Sequence, residues 1–120
     1  MTTLSVDCGG GGIKASVLDA EGTISSRAVR TPTPYPLPPM KLVKTIAGLA
    51  EQLPRADRVT VGMPGMIRHG VVVATPHYIT KDGPRSKPLP ELVEAWHRFD
   101  MGSAIAEHLG LPSLILNDAE

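Results

Sequence analysis

Apolar and polar positions change period several times along the chain, and each change marks an element. At Leu4–Asp7, Leu4 and Val6 alternate with polar neighbours, which is the two-residue period of a strand. Four glycines, Gly9 to Gly12, interrupt the pattern, and alternation resumes over Ile13–Leu18. Strand, glycine turn and strand predict a β-hairpin. Asp19-Ala20-Glu21-Gly22 is a second turn signal, and Thr23–Arg30 is a third strand candidate, so the chain is expected to open as an antiparallel meander. Thr31–Pro39 then holds five prolines in nine residues, which excludes helix and central strand. It reads as a stiff connector or as a polyproline ligand, and the helical pattern directly after it favours the connector.

That pattern places Leu42, Val43, Ile46, Leu49, Ala50 and Leu53 on one helical face, with Pro54 as the stop. Val59–Val61 predicts a strand ending at Gly62-Met63-Pro64-Gly65, and Val71–Ala74 predicts another. Thr80–Pro90 is rich in breakers and reads as an exposed loop. Glu91–Phe99 is a helix candidate, with Trp96 and Phe99 as packing anchors. Asp100 suits the N-cap of a further helix through Leu109, with Gly110 at its end and Pro112 beyond. Ser113–Leu116 is a short apolar run and predicts a buried strand that delivers Asn117-Asp118. The order βββ, α, β, β, α, β predicts an α/β fold. Its mixed sheet should have an antiparallel start, and the strands at Val59 and Ser113 should join parallel through helical crossovers.

Composition narrows the setting. A chain of 120 residues suits one domain. Only four residues are aromatic, so the core must come from Val, Ile, Leu, Ala and Met. The lone Cys8 excludes a disulfide framework and a cysteine-based zinc site within this chain. No apolar run reaches the ~18 residues of a membrane span, and no secretory leader pattern opens the chain. A cytoplasmic location without a membrane partner is the expectation. The net charge is zero but uneven: −2 over residues 1–26, +7 over 27–87 and −5 over 88–120. A basic middle suits a polyanionic small ligand or simply a solvated surface, and gives no case for nucleic acid.

Three segments put glycine, acidic or amide residues at strand ends, where open α/β sheets form ligand sites. Asp7, Gly9, Gly10, Gly11 and Lys14 could hold phosphate: glycines let backbone N–H groups approach an anion, Lys14 adds a cation, and Asp7 could hold a hydrated Mg²⁺. The same glycines also suit an ordinary hairpin turn. The Gly62–Gly65 segment supplies Pro64 and Gly65. At the last strand end, Asp118 could take a proton from a hydroxyl while Asn117 fixes a neighbouring one, although this pair also suits a helix N-cap. His69, His97 and His108 read as surface or partly packed groups, His77 follows Pro76 at a strand exit, and Cys8 reads as a packed thiol.

Together these segments resemble the N-terminal lobe of the ROK sugar kinases, within the sugar kinase/Hsp70/actin superfamily, and most of all the polyphosphate/ATP glucokinases. Val6-Asp7-Cys8-Gly9-Gly10-Gly11-Gly12-Ile13-Lys14 resembles the first phosphate motif D-x-G-G-[ST]-x-[IT]-K, with Gly11 standing where the motif has Ser or Thr. Val61-Gly62-Met63-Pro64-Gly65 is similar to the family's G-x-P-G segment, and Asn117-Asp118-Ala119 to its N-D-A motif. The prolines after Arg30 are similar too. The resemblance implies a ribonuclease-H-like (actin-like ATPase) lobe, with a mixed five-stranded sheet and helices on its faces. Residues 1–120 would be the first of two lobes, with the second lobe outside this chain and the piece alone inactive. It implies Asp118 as catalytic base, Asn117, Pro64 and Gly65 at the sugar, and Asp7, Gly9, Gly10, Gly11 and Lys14 at phosphate and Mg²⁺. ATP or polyphosphate would be the donor, no zinc would bind this chain, and the complete protein could be a homodimer. Two other activities share the resemblance. One is the sugar-sensing domain of a ROK regulator, whose DNA-binding element has little room before Asp7. The other is a non-sugar ATPase or activator.

Overall fold

The computed structural model describes residues 1–24, 27–76, 78–83 and 86–117. Strands β1 (Thr3–Cys8) and β2 (Gly12–Leu18) form the hairpin expected around the glycines, with Asp7 opposite Lys14. Strand β3 (Val29–Pro32) pairs antiparallel with β2. Helix α1 (Pro39–Glu51) crosses to β4 (Arg58–Met63), which lies parallel to β1. A small hairpin of β5 (Met66–Arg68) and β6 (Val71–Ala74) follows. Helices α2 (Pro90–Trp96) and α3 (Met101–Leu109) then lead to β7 (Ser113–Asn117), parallel to β4. The main sheet runs β3-β2-β1-β4-β7. This is the mixed sheet with an antiparallel start that the sequence pattern predicted, and it has the five strands that the family resemblance implied.

The strand rows explain which face is core. Leu4, Val6 and Cys8, Ile13, Ala15 and Val17, Val59 and Val61, and Ile115 are all buried. They share one face because alternate residues of a strand point the same way. Helix α1 brings Leu42, Val43, Ile46 and Leu49 onto that face and packs against α3 with Met101 and Ile105. Helix α1 starts with Pro39 at its first turn, where the missing N–H costs nothing. Helix α3 is capped as expected: Asp100 accepts from Ser103 N, and Gly110 closes it at φ 67°. Residues of the opposite rows, such as Asp7, Lys14, Arg30 and Leu116, are exposed. Among the described residues no helix is long and apolar enough to cross a membrane.

Several expectations change. The third strand lies at Val29–Pro32 rather than Thr23–Arg30; Ser25 and Ser26 lie outside the described residues, and among the described ones before Val29 Ile24 forms an isolated bridge to Leu18. Pro32 is tolerated because β3 is an edge strand, so its missing N–H breaks no ladder. The connector keeps only its middle, and Thr33, Leu37 and Pro39 are buried in the fold. The loop Thr80–Pro90 is not wholly exposed: Thr80 and Gly83 are buried, and Gly83 lies against the Tyr35 ring. The run Ser113–Leu116 is not a fully buried strand, because β7 is at the sheet edge with cover on one face. Ile115 is 6% exposed, while Leu114 and Leu116 are 54% and 49% exposed. Helix α2 also ends at Trp96, earlier than Phe99, where His97 turns extended and Arg98 takes φ 58°.

Candidate functional site

The glycine turn between β1 and β2 is fixed from one side. Gly9 N donates to Gly12 O at 2.9 Å and closes the hairpin. The Gly9 carbonyl accepts from Thr33 Oγ1 at 3.0 Å and from Tyr78 Oη at 2.9 Å. The Gly10 carbonyl accepts from Tyr35 Oη at 2.6 Å, and Gly11 O accepts from Thr33 N at 3.3 Å. In a planar trans peptide the C=O and the following N–H point in opposite directions. The N–H groups of Gly10 and Gly11 are therefore turned away from the two tyrosines, and among the described residues neither meets an acceptor. Successive backbone N–H groups presented this way form an anion-binding concavity. Burial pushes the Tyr35 phenol pKa above its ordinary value.

The two tyrosines belong to a line of rings. Tyr35 and Tyr78 have centroids 6.3 Å apart, Tyr78 and Trp96 5.7 Å, and Trp96 and Phe99 5.9 Å. These four are all the aromatic residues in the chain. Trp96 is buried and donates Nε1–H to Leu37 O at 2.8 Å, which ties α2 to the proline segment. Trp96 is thus the packing anchor expected of it. Sequence reasoning missed Thr33, Tyr35 and Tyr78. The one available signal was that two of four aromatics flank proline-rich turns.

On the exposed side of the turn lies a cavity of about 440 Å³, lined by Asp7, Gly9, Gly11, Lys14 and Arg30 among others. It gathers four of the five expected phosphate residues. Gly10 sits outside the lining, with its carbonyl on the tyrosine side. Asp7 is exposed, and a single carboxylate beside such a turn has the donor chemistry by which hydrated Mg²⁺ is held, one or two carboxylates plus phosphate oxygens. Among the described residues no group of three or more His, Cys, Asp or Glu could hold a metal by itself.

The other expected residues stand at neighbouring strand ends. Asp7 pairs with Gly62, Gly62 with Leu116, and Met63 with Asn117. Pro64 and Gly65 follow directly from β4, and Asn117 closes β7. Gly65 takes φ 107°, and the β6 strand end returns over it, with Thr75 Oγ1 donating to Pro64 O at 3.1 Å. Pro64, Gly65 and Asn117 do not line the cavity beside the glycine turn. Asp118 lies outside the described residues, as does His77. His69, His97 and His108 are exposed, and Cys8 is buried. A second cavity of about 270 Å³ lies between the ends of α1 and α3, at the opposite end of the strands, and holds none of the expected residues.

The β3-β2-β1-β4-β7 sheet, with its glycine hairpin and flanking helices, is of the actin-like ATPase fold. The family can be stated as well. The ROK family model matches residues 3–120, and the chain belongs to the ROK family. It is 32% identical to the N-acetylmannosamine kinase of Escherichia coli O9:H4 (strain HS) and 34% identical to that of Salmonella typhimurium (strain LT2), in each case over the whole of this chain and 37% of the relative. Among solved structures it is similar to the inorganic polyphosphate/ATP-glucomannokinase of Arthrobacter sp. strain KM. There the TM-score is 0.75 and the identity 27%, over 98% of this chain and 44% of that one. It is also similar to a ROK family glucokinase of Streptomyces griseus in complex with glucose and AMPPNP, at TM-score 0.71 and 26% identity over 99% of this chain and 34% of that one. The chain therefore spans a little over a third of the length of the curated relatives it matches.

Proposed function

We propose that the chain is the N-terminal lobe of a two-lobed, glucokinase-like sugar kinase that moves a terminal phosphoryl group from ATP or polyphosphate to a sugar hydroxyl. The observation that supports this is the convergence at one end of the sheet: the glycine turn with Asp7, the Pro64-Gly65 turn and Asn117 all follow from the carboxyl ends of the adjacent strands β1, β4 and β7. The sugar hydroxyl attacks the terminal phosphorus, a new O–P bond forms, and the bond to the bridging oxygen breaks. ADP or a shortened polyphosphate leaves, and the Asp118 carboxylate takes the hydroxyl proton. Asn117 hydrogen-bonds a neighbouring sugar hydroxyl, and the Pro64-Gly65 backbone walls the sugar. The Gly10 and Gly11 N–H groups and Lys14 hold phosphoryl oxygens in place. Asp7 would hold Mg²⁺, which supplies charge neutralisation on the donor phosphates.

The test is Asp118→Asn in the two-lobed protein. It keeps the side-chain size and removes the proton acceptor, so kcat should fall by about 10²–10⁴. The KM for sugar should move far less, because Asn117 and the backbone wall remain. Near-normal turnover would refute the assignment. Running the wild type on glucose and on N-acetylmannosamine, with ATP and with polyphosphate, names the substrate pair.

A further inference from the structure

Lys14 is not the only cation at the glycine turn. It stands opposite Asp7 in the β1–β2 pairing and opposite Arg30 in the β2–β3 pairing. Asp7, Lys14 and Arg30 therefore form one row across three strands and leave the sheet on the same face. All three are exposed, and all three line the 440 Å³ cavity. Like charges directly opposite on adjacent strands destabilise a sheet. Among the described residues neither Lys14 nor Arg30 has a hydrogen-bond or ion-pair partner that would offset this. Other cations are used differently: Arg58 Nε donates to Thr3 Oγ1 at 2.8 Å, and Lys41 Nζ to Pro36 O at 3.1 Å. Two cations against the single carboxylate of Asp7, beside two unpaired backbone N–H groups, make an arrangement that an anion completes.

Position along the row gives the second clue. Strands lie roughly 4.8 Å apart, so Arg30 is roughly 10 Å from Asp7 and roughly 14 Å from Gly62, measured between backbones. It is the member of the row farthest from the strand ends assigned to the sugar. We propose that Arg30 is a donor-binding residue. Its guanidinium holds the phosphoanhydride chain at a phosphoryl group remote from the one transferred, while Lys14 and the glycine N–H groups hold the nearer ones. The proposal rests on the phosphate reading of the turn given above. An arginine suits the task because its planar fork meets two phosphoryl oxygens at once, which a lysine cannot do. The ligand chemistry is a linear chain of phosphoryl groups, as found in a nucleoside triphosphate or in inorganic polyphosphate.

The test titrates the 120-residue chain with inorganic tripolyphosphate and, separately, with ATP, following backbone amide resonances of residues 9–14. The variants are Arg30→Ala, Arg30→Lys, Lys14→Ala and, as a charge control, Arg68→Ala, an exposed arginine outside the cavity. Arg30→Ala should weaken tripolyphosphate binding by about tenfold or more, the loss that goes with a charge-assisted hydrogen bond. Arg30→Lys should recover only part of that loss, and Arg68→Ala should change affinity by less than about twofold, the effect of a remote surface charge. An equal loss with ATP supports a contact to the shared phosphoanhydride chain, and a loss with one ligand alone supports the contact and names the donor. If Arg30→Ala behaves like Arg68→Ala while Lys14→Ala weakens binding, Arg30 has no such role and the phosphate turn stands. If neither Arg30→Ala nor Lys14→Ala alters binding, or the unaltered chain shifts no resonance in the turn, both this proposal and the phosphate reading fall.

Discussion

Replacing Gly65 with alanine tests whether the turn after β4 is held as rigidly as its surroundings imply. The residue has φ 107°, a conformation that costs an L-residue about 1–3 kcal/mol. A Cβ there would sit 2.1 Å from Ala74 O, 2.8 Å from Thr75 Cα and 3.0 Å from Ala74 C. All three are backbone atoms, so no side-chain rotamer relieves the contact. Either the end of β6 moves away, breaking the Thr75 Oγ1 bond to Pro64 O, or the turn unwinds. Overpacking of this kind adds about 1–3 kcal/mol. The total, about 2–6 kcal/mol, is a large share of the ~5–15 kcal/mol that holds a typical domain together. Gly48→Ala supplies the contrast. Gly48 is exposed in α1 with open space where a Cβ would go, and alanine there should stabilise by about 1 kcal/mol. Urea unfolding followed by far-ultraviolet circular dichroism measures both variants against the wild type. A Gly65→Ala unfolding free energy within about 0.5 kcal/mol of wild type, the ordinary range for a surface change, would refute the close-approach reasoning.

Three further outcomes are expected. Tyr78→Phe removes one of two hydroxyls on Gly9 O and should cost about 0.5–1.5 kcal/mol, with faster hydrogen exchange at the Gly9 N–H that donates to Gly12 O; unchanged exchange would mean that the phenol does not fix the turn. Gly11→Ser, at an exposed site where an added side chain would enter open space, should leave the free energy of urea unfolding within about 0.5 kcal/mol of wild type. Hydrogen bonds from Thr2 N, at 2.7 Å, and Thr2 Oγ1 hold the Asp57 carboxyl below its usual pKa, partly opposed by desolvation. Its stabilising effect is present in full above the unfolded carboxyl pKa of about 4 and is lost as pH falls through the lower folded value, so Asp57→Asn should flatten the acid limb of the stability–pH profile.

Local rules carried much of the fold. The period-2 runs around the glycines pointed to the β1–β2 hairpin, the 3.6-residue spacing of Leu42, Val43, Ile46 and Leu49 to α1, and Asp100 with Gly110 to both ends of α3. Failures came where a residue's meaning depends on its place in the sheet. Pro32 can sit in a strand only at an edge, and nothing near Pro32 says that β3 is one. The apolar run at Ser113 looks buried until the sheet proves to be covered on one face only, which leaves Leu114 and Leu116 outside. The site divides the same way. Asp7, the glycines and Lys14 are adjacent in sequence and were legible together. Tyr35 and Tyr78 act on Gly10 and Gly9 from 25 and 69 residues away, through backbone carbonyls that leave no mark in the sequence pattern.

The line of four rings has an optical consequence. Trp96 is the chain's only indole, both phenols lie upstream of it along the line, and no aromatic group stands anywhere else. Excitation absorbed by Tyr35 or Tyr78 has one acceptor, and every near-ultraviolet band of the protein comes from one place. That place ends, through two phenolic hydroxyls, on the glycine turn. The chain therefore carries its own emission gauge: a ligand that shifts the turn alters the light from Trp96, and one that settles between α1 and α3 leaves that light unchanged.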